Sequence, residues 1–219
     1  MSVAYSPQIV SGNLLLNYDP GNLKSYPGTG TRINDLSGNG NHGTLTNGVS
    51  VVTSSKLAYL NFDGTDDYVS CGSAIQLSNN FTLSVWLLNP NGGYVIDQGD
   101  LGTDPTGSLE WLGLNVNFNN LATGVAATAA YSTIQNGQWN NVVMTFASRT
   151  TGFFINGQLD SYKYTGTTTF TPSGLLKIGR RAFSTSSIYS GGIGPVMIYN
   201  RPLTPAEVLQ NYNAIKTRF

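Results

Sequence analysis

The sequence predicts an all-β protein, one sandwich of short antiparallel strands finished by a single helix at the C-terminus. Three observations carry this. Gly, Ser, Thr and Asn supply 93 of the 219 residues, and charged residues are 10%, well below the roughly 25% of an average globular domain. That composition suits strands joined by many turns, with a surface made polar by hydroxyls and amides. Apolar residues come in short runs spaced by turn signals, the pattern of a sandwich or closed barrel. Asn156-Gly157 stands between two such runs; Asn-Gly marks a tight hairpin because both central residues of a type I′ turn need positive φ.

The elements follow in order. Residues 1–12 contain Pro7, Ser11 and Gly12 without periodicity and read as an N-terminal arm ahead of one domain, 13–219. Residues 14–18 (LLLNY) are the first strand. Residues 19–50 are dense in Gly, Pro and Asn, residues that supply positive φ, preset turns and tolerate the left-handed region. They read as a long surface excursion. Strands are expected at 58–62 and 68–71, flanking Asp63-Gly64-Thr65-Asp66-Asp67. In 81–88 the alternation puts Phe81, Leu83, Val85 and Leu87 on one face. Further strands are expected at 93–97, 109–118, 121–127, 139–146, 152–155, 158–162, 175–178 and 193–199.

The helix is expected over about 204–214. Thr204 and Glu207 form a T-x-x-E capping box, and Leu203 and Val208 are placed for a hydrophobic staple. Pro205 takes the first helical position, where its missing N–H costs nothing.

Composition also excludes. With 11 basic and 11 acidic side chains, the chain lacks the basic excess on which nucleic-acid binding rests. No apolar run reaches the roughly 18 residues of a membrane span. The start, Met1-Ser2-Val3-Ala4-Tyr5-Ser6-Pro7, has neither the basic nor the apolar region of a signal peptide. Cys71 is the only cysteine and His42 the only histidine, which removes intrachain disulfides, thiolate clusters and nearly all triads. A net charge of zero favours association, so a homo-oligomer or a place within an assembly is expected.

Four ordered stretches carry a family likeness. They are Leu60-Asn61-Phe62-Asp63-Gly64-Thr65-Asp66-Asp67-Tyr68-Val69; Phe81 to Leu87; Trp139-Asn140-Asn141-Val142-Val143 running on to Phe154-Ile155-Asn156-Gly157-Gln158; and Lys177-Ile178-Gly179 with Gly192 through Val208. Together they resemble the laminin-G-like, concanavalin-A-like superfamily in its pentraxin-like branch. The resemblance implies a jelly-roll sandwich with Trp86 and Trp139 in or near the core. Leu16-Asn17-Tyr18-Asp19-Pro20-Gly21-Asn22 and Tyr199-Asn200-Arg201-Pro202-Leu203-Thr204 are most similar to copies in tailed-bacteriophage virion proteins.

Glucanases of the superfamily are similar to one another in an E-x-D-x-E strand, whose carboxylates flank a glycosidic bond. This chain has only Glu110 and Glu207; Glu207 is spent on the helix cap, and no enzyme is expected. The resemblance implies calcium held by an early carboxylate, Asp19, and an Asp near the last strand. That segment here reads Gly192-Ile193-Gly194-Pro195, with Gly194 at the Asp position. Asp63, Asp66 and Asp67 offer the hard oxygens calcium takes, or cap tight turns through Asx bonds. For sugar, Tyr162 and Tyr164 share one strand face, and Phe183 and Tyr189 lie in the loop 181–190. Asn115, Asn117, Asn119 and Asn120 make an amide-rich stripe. The same aromatics also read as core or rim packing. Arg180-Arg181 reads as a solvated strand end.

Two functions follow as expectations. The first is a non-enzymatic virion accessory protein of a tailed phage, a surface-exposed capsid decoration or small fibre/adhesin component, with other virion proteins as partners and residues 1–12 as its docking segment. The alternative is a lectin-like module that attaches to host-surface glycans through loops 92–107 and 180–191.

Overall fold

A computed structural model of the chain describes residues 7–54, 57–72, 75, 77, 80–98, 112–117, 120–123, 129–147, 149–164, 174–181 and 188–219; residues 112–117, 120–123, 129–133 and 164 are described by backbone alone. The strands are β1 Leu14–Tyr18, β2 Arg32–Ile33, β3 Gly43–Thr46, β4 Ser50–Thr53, β5 Ala58–Asp63, β6 Tyr68–Cys71, β7 Asn80–Asn91, β8 Tyr94–Gln98, β9 Leu112–Asn117, β10 Asn120–Thr123, β11 Ala129–Thr133, β12 Trp139–Ala147, β13 Thr150–Ile155, β14 Gln158–Tyr164, β15 Lys177–Ile178 and β16 Ser190–Tyr199. Helix α1 spans Pro205–Ile215 and runs into a short 3-10 turn, Lys216–Arg218.

The strands form two antiparallel sheets, a jelly-roll sandwich. The first sheet runs β14-β13-β12-β7-β16-β5-β4, and the second β11-β10-β9-β8-β15-β6-β3-β2. β16 organises the first sheet. It pairs with β7 along one side; along the other, its first half pairs with β5 and its second half with β1. Its register against β7 shifts between Ile193 and Val196, where Gly194 and Pro195 sit. A proline in a central strand is tolerated at such a bulge because no ladder hydrogen bond is asked of its nitrogen.

The expected alternation of β7 is observed. Phe81, Leu83, Val85 and Leu87 enter the core between the sheets, with Val142, Met144, Phe146, Val196 and Ile198 of the first sheet and Val69, Cys71, Ile96 and Ile178 of the second. The opposite face of the first sheet has its own apolar cluster. Trp86, Val143, Phe154, Met197 and Tyr199 are covered there by Leu203, Val208 and Ile215. Helix α1 is thus a third layer over half of one sheet.

The local signals fold as read. Thr204 accepts the Glu207 N–H while the Glu207 carboxylate accepts the Thr204 N–H, and Pro205 opens the helix. Arg201 clamps Glu207 from outside with two contacts of 2.6 and 2.8 Å; these bonds hold the Glu207 carboxyl down at about 2. Asn156 and Gly157 both take positive φ in the hairpin between β13 and β14. Tyr212 of α1 packs so close that a Cβ on Gly157 would stand 3.0 Å from its ring.

Two expectations need correction. Residues 19–50 are not only a loop: they contain the edge strand β2, its neighbour β3 and the start of edge strand β4. These strands are short, and their pairing is set by tertiary neighbours rather than by local pattern. β11 was likewise unread. The arm is also more than a free leader. Ile9 and Val10 pack on the cluster beneath α1. The Val10 N–H donates to Asn211 Oδ1, the Val10 carbonyl accepts from the Tyr199 hydroxyl, and the Gln8 carbonyl accepts from Gln210. Residues 8–12 belong to the domain's own packing. Among the described residues no helix is long and apolar enough to cross a membrane.

Candidate functional site

The second sheet turns one face to the core and leaves the other uncovered by α1. In its central strands the inward residues are Leu45, Val69, Ile178 and Ile96, all in one register row and all buried. Successive residues of a strand alternate faces, so the neighbouring row points outward. It reads Arg32, Thr44, Ser70, Lys177, Asp97 across β2, β3, β6, β15 and β8. At about 4.8 Å between strands, this row is about 19 Å long. Arg32 and Thr44 are exposed, Ser70 and Lys177 half-buried, and Asp97 fully buried.

Tyr68 lies one outward position along β6 from Ser70. Lys177 Nζ stands 4.3 Å and Arg180 Cζ 4.5 Å from its ring centroid. A cation over a tyrosine face is attracted by the ring quadrupole, so one ring holds two positive heads in place. Lys177 also donates to Ser70 Oγ at 3.2 Å. A third cation, Arg181, lies 5.9 Å from the ring of Tyr94. Burial, and next the charge of Arg180, push the Lys177 ammonium below its ordinary pKa. Arg180 is therefore not the solvated strand end expected of it.

At the β2 end the row opens into a hollow of about 340 Å³ lined by Arg32, Gly40, His42, Gly43, Thr44 and Gly72. Asp35 braces the loop that carries His42. One carboxylate oxygen accepts the N–H groups of Asn17 and Ser37, and the other accepts the Ser37 hydroxyl and the Asn41 N–H. The Asp35 N–H in turn donates to His42 Nδ1, so a neutral imidazole carries its proton on Nε2. Sequence reasoning passed Asp35 over, although Asn34-Asp35-Leu36-Ser37 has the Asx and Ser pattern of a side-chain-capped turn. We expect Asp35→Ala to lose about 3 kcal/mol in a denaturant titration, because three backbone N–H groups are left without acceptors.

Of the aromatic residues named from the sequence for sugar, Tyr162 and Tyr189 are described with their side chains. Tyr162 on β14 is 54% exposed and meets Phe154 edge-on. Tyr164 shares its strand, on a backbone-only position, and Phe183 lies outside the described residues. Tyr189 contradicts the expectation. It is fully buried, its ring edge-on to Phe62 and its hydroxyl donating to the Gly192 carbonyl, so it offers no ring to a ligand. Glu110 and Asn119 lie outside the described residues, and Asn115, Asn117 and Asn120 are placed by backbone alone. Trp86 is buried beneath α1, and half-buried Trp139 packs edge-on to Tyr59. Cys71 is a core residue, 3.1 Å from the Tyr18 hydroxyl; burial pushes its thiol up to about 12, the state of an inert cysteine.

The residues at the calcium position implied by the resemblance do not fit the ion. Both carboxylate oxygens of Asp19 bond Arg218 at 2.9 Å, and one also accepts the Gly21 N–H. Position 194 is glycine, where a Cβ would stand 3.0 Å from Trp86 and 3.1 Å from Phe219. The second acidic group is better gathered. Asp63, Asp66 and Asp67 bring one carboxylate oxygen each within 4.8 Å of one another, a spacing a hard cation can bridge. Asp67 Oδ2 accepts the Asp63 N–H and Asp63 Oδ1 the Thr65 N–H, as turn-capping carboxylates do. Asp67 Oδ1 is buried without a partner. Burial first, then the charges of Asp63 and Asp66, raise the Asp67 pKa against the bond from the Asp63 N–H.

The model of the concanavalin A-like lectin/glucanases superfamily matches residues 63–209. No curated protein sequence matches the chain. Among solved structures, domain 4 of AbnA, an extracellular arabinanase of Geobacillus stearothermophilus determined with arabinotriose, is similar with a TM-score of 0.69 and 18% identity, over 91% of this chain and 98% of that domain. The binding domain of Paraclostridial Mosquitocidal Protein 1 is similar with a TM-score of 0.68 and 17% identity, over 92% of this chain and 52% of that one. A Trypanosoma rangeli sialidase determined with sialic acid gives 0.65 and 16%, over 94% of this chain and 33% of the sialidase. The chain therefore spans about half of the toxin domain and a third of the sialidase. At these identities the likeness is one of fold.

Proposed function

Because the chain belongs to the concanavalin A-like lectin/glucanases superfamily, we propose that it is a non-enzymatic glycan-binding module that works through the outer face of its second sheet. The observation that carries the reading is the row Arg32–Thr44–Ser70–Lys177, flanked by Tyr68 and ending in the hollow beside His42. Hydroxyls, an ammonium and a guanidinium supply convergent donors and acceptors for sugar hydroxyls, and the hollow gives a sugar ring a recess to enter. The arabinotriose held by the Geobacillus domain, which this chain matches over nearly all of that domain's length, supports a glycan ligand. Hydrolysis is not part of the proposal: Glu207 is bound up in its cap and by Arg201, and a glycosidase needs two carboxylates across one bond.

The setting we propose is the surface of a tailed-phage virion, as a capsid decoration or small fibre/adhesin component among other virion proteins. It rests on the motifs 16–22 and 199–204 alone, as the pentraxin-like assignment rests on the motifs quoted with it. Asp63, Asp66 and Asp67 are the ligands we propose for a calcium ion that braces the β5–β6 turn next to Tyr68.

The test is binding of the purified protein to a broad glycan panel, with calcium and with chelator. Reproducible binding that Arg32→Ala and Tyr68→Ala each weaken, with the melting temperature kept, is the expected result. No binding in either condition overturns the glycan reading. Binding that survives both substitutions moves the site elsewhere. Loss of binding in chelator assigns calcium a part.

A further inference from the structure

Among the described residues neither Lys177 nor Arg180 forms an ion pair. Resting on the glycan-binding reading, we propose that the ligand is an acidic saccharide whose carboxylate or sulfate sits between Lys177 and Arg180, with its following sugars laid along the row toward Arg32 and the hollow. Among the described residues the ion pairs are Arg201–Glu207 and Arg218–Asp19, both remote in the fold from β15. Lys177 and Arg180 each lie within 4.5 Å of one ring centroid, and an anion that both contact relieves the repulsion between them.

The donors are free to meet it. Lys177 spends one ammonium N–H on Ser70 Oγ and keeps two. Arg180 donates through Nε to the Arg181 carbonyl, which leaves its terminal nitrogens for a forked contact with a carboxylate or sulfate. The carboxylates that face this group from neighbouring strands are limited. Asp97 stands opposite Lys177 in register, at the buried end of the same outward row. Asp66 and Asp67 lie in the turn just before Tyr68, and a Cβ on Gly179 would stand 3.2 Å from the Asp67 carbonyl.

That acidic turn gives the site a direction. When no cation is held there, Asp63, Asp66 and Asp67 repel an anionic chain from the turn before Tyr68, and the chain follows the row from Lys177 through Ser70 and Thr44 to Arg32 instead. The overall charge of zero makes this a local patch rather than a general polyanion surface, which favours an acidic saccharide over nucleic acid.

The experiment is titration calorimetry of the full chain against matched ligands: oligogalacturonate and its carboxyl-reduced neutral counterpart, and sulfated dextran and plain dextran. We expect one acidic ligand to bind at least about ten-fold tighter than its neutral partner, and tighter at low salt than at high. We expect Lys177→Gln with Arg180→Gln to erase that preference, while Lys177→Arg keeps it and all variants keep their melting temperature. Preference for the uronate assigns the carboxylate, and preference for the sulfated chain the sulfate. Equal binding of acidic and neutral partners, unchanged in the double variant, overturns the acidic ligand and leaves the glycan reading standing. Silence of these ligands and of the broad panel overturns both.

Discussion

Placing aspartate at Gly194 lowers the melting temperature by about 10 °C and creates no calcium site. The position is the one where the family resemblance implies a calcium-binding acid, so the substitution restores the expected residue. The surroundings refuse it. A Cβ there would stand 3.0 Å from Trp86 Cβ and 3.1 Å from Phe219 Cζ, and Trp86 is 2% exposed. The carboxylate would enter an aromatic cluster, where overpacking and desolvation together cost about 3–4 kcal/mol. For a chain of this length each kcal/mol moves the transition by about 2–4 °C. The other ligand is also taken, since Arg218 grips Asp19. Thermal melts with and without calcium decide the matter. A variant that melts like the parent, or that calcium restores, would falsify this account. Adding Phe219→Ala opens the space at the ring and recovers part of the loss.

The sandwich was legible because its signals are local. The alternation of Phe81, Leu83, Val85 and Leu87 set the face of β7, Asn156-Gly157 set a hairpin, and the Thr204–Glu207 box set the start of α1. The edge strands β2 and β4 and the short strand β3 beside β2 were not legible. Gly43-Thr44-Leu45-Thr46 carries no more β signal than the turns around it and becomes a strand because β6 pairs with it. The candidate site escaped for a related reason. Arg32, Thr44, Ser70 and Lys177 come from four strands, far apart in sequence, and only strand register places them in a row. Aromatic platforms are expected on the strand face of Tyr162 and Tyr164 and in the loop 181–190 that holds Tyr189. Its place beside Gly191 and Gly192 at the start of β16 instead draws the ring into the core. Arg180 was read by its charge alone, whereas its position follows from Tyr68, more than a hundred residues earlier.

Trp86→Ala separates the stability of the molecule from its proposed function. The indole is stacked on Tyr212 at 5.6 Å and on Phe219 at 4.4 Å, with interplanar angles of 8° and 14°. Phe219 reaches on to Trp139 at 4.7 Å. These rings, with Val208 and Ile215, fasten α1 to the first sheet. Trp86 Nε1 is buried without a hydrogen-bond partner, so what the substitution removes is apolar packing, and truncation to alanine costs about 3–5 kcal/mol. Trp86→Phe keeps a ring in the stack and loses clearly less. The damage falls on the helix layer first. Limited proteolysis of Trp86→Ala cuts within residues 204–219 at temperatures where the parent resists, because the core between the sheets does not depend on the indole. The outer face of the second sheet lies beyond that core, on the other side of the sandwich from α1. Below its lowered transition the variant should therefore bind glycan as the parent does. Loss of binding in a folded Trp86→Ala protein would place the site on the helix side, and a parent-like melting curve would mean that the stacked rings do not hold the third layer.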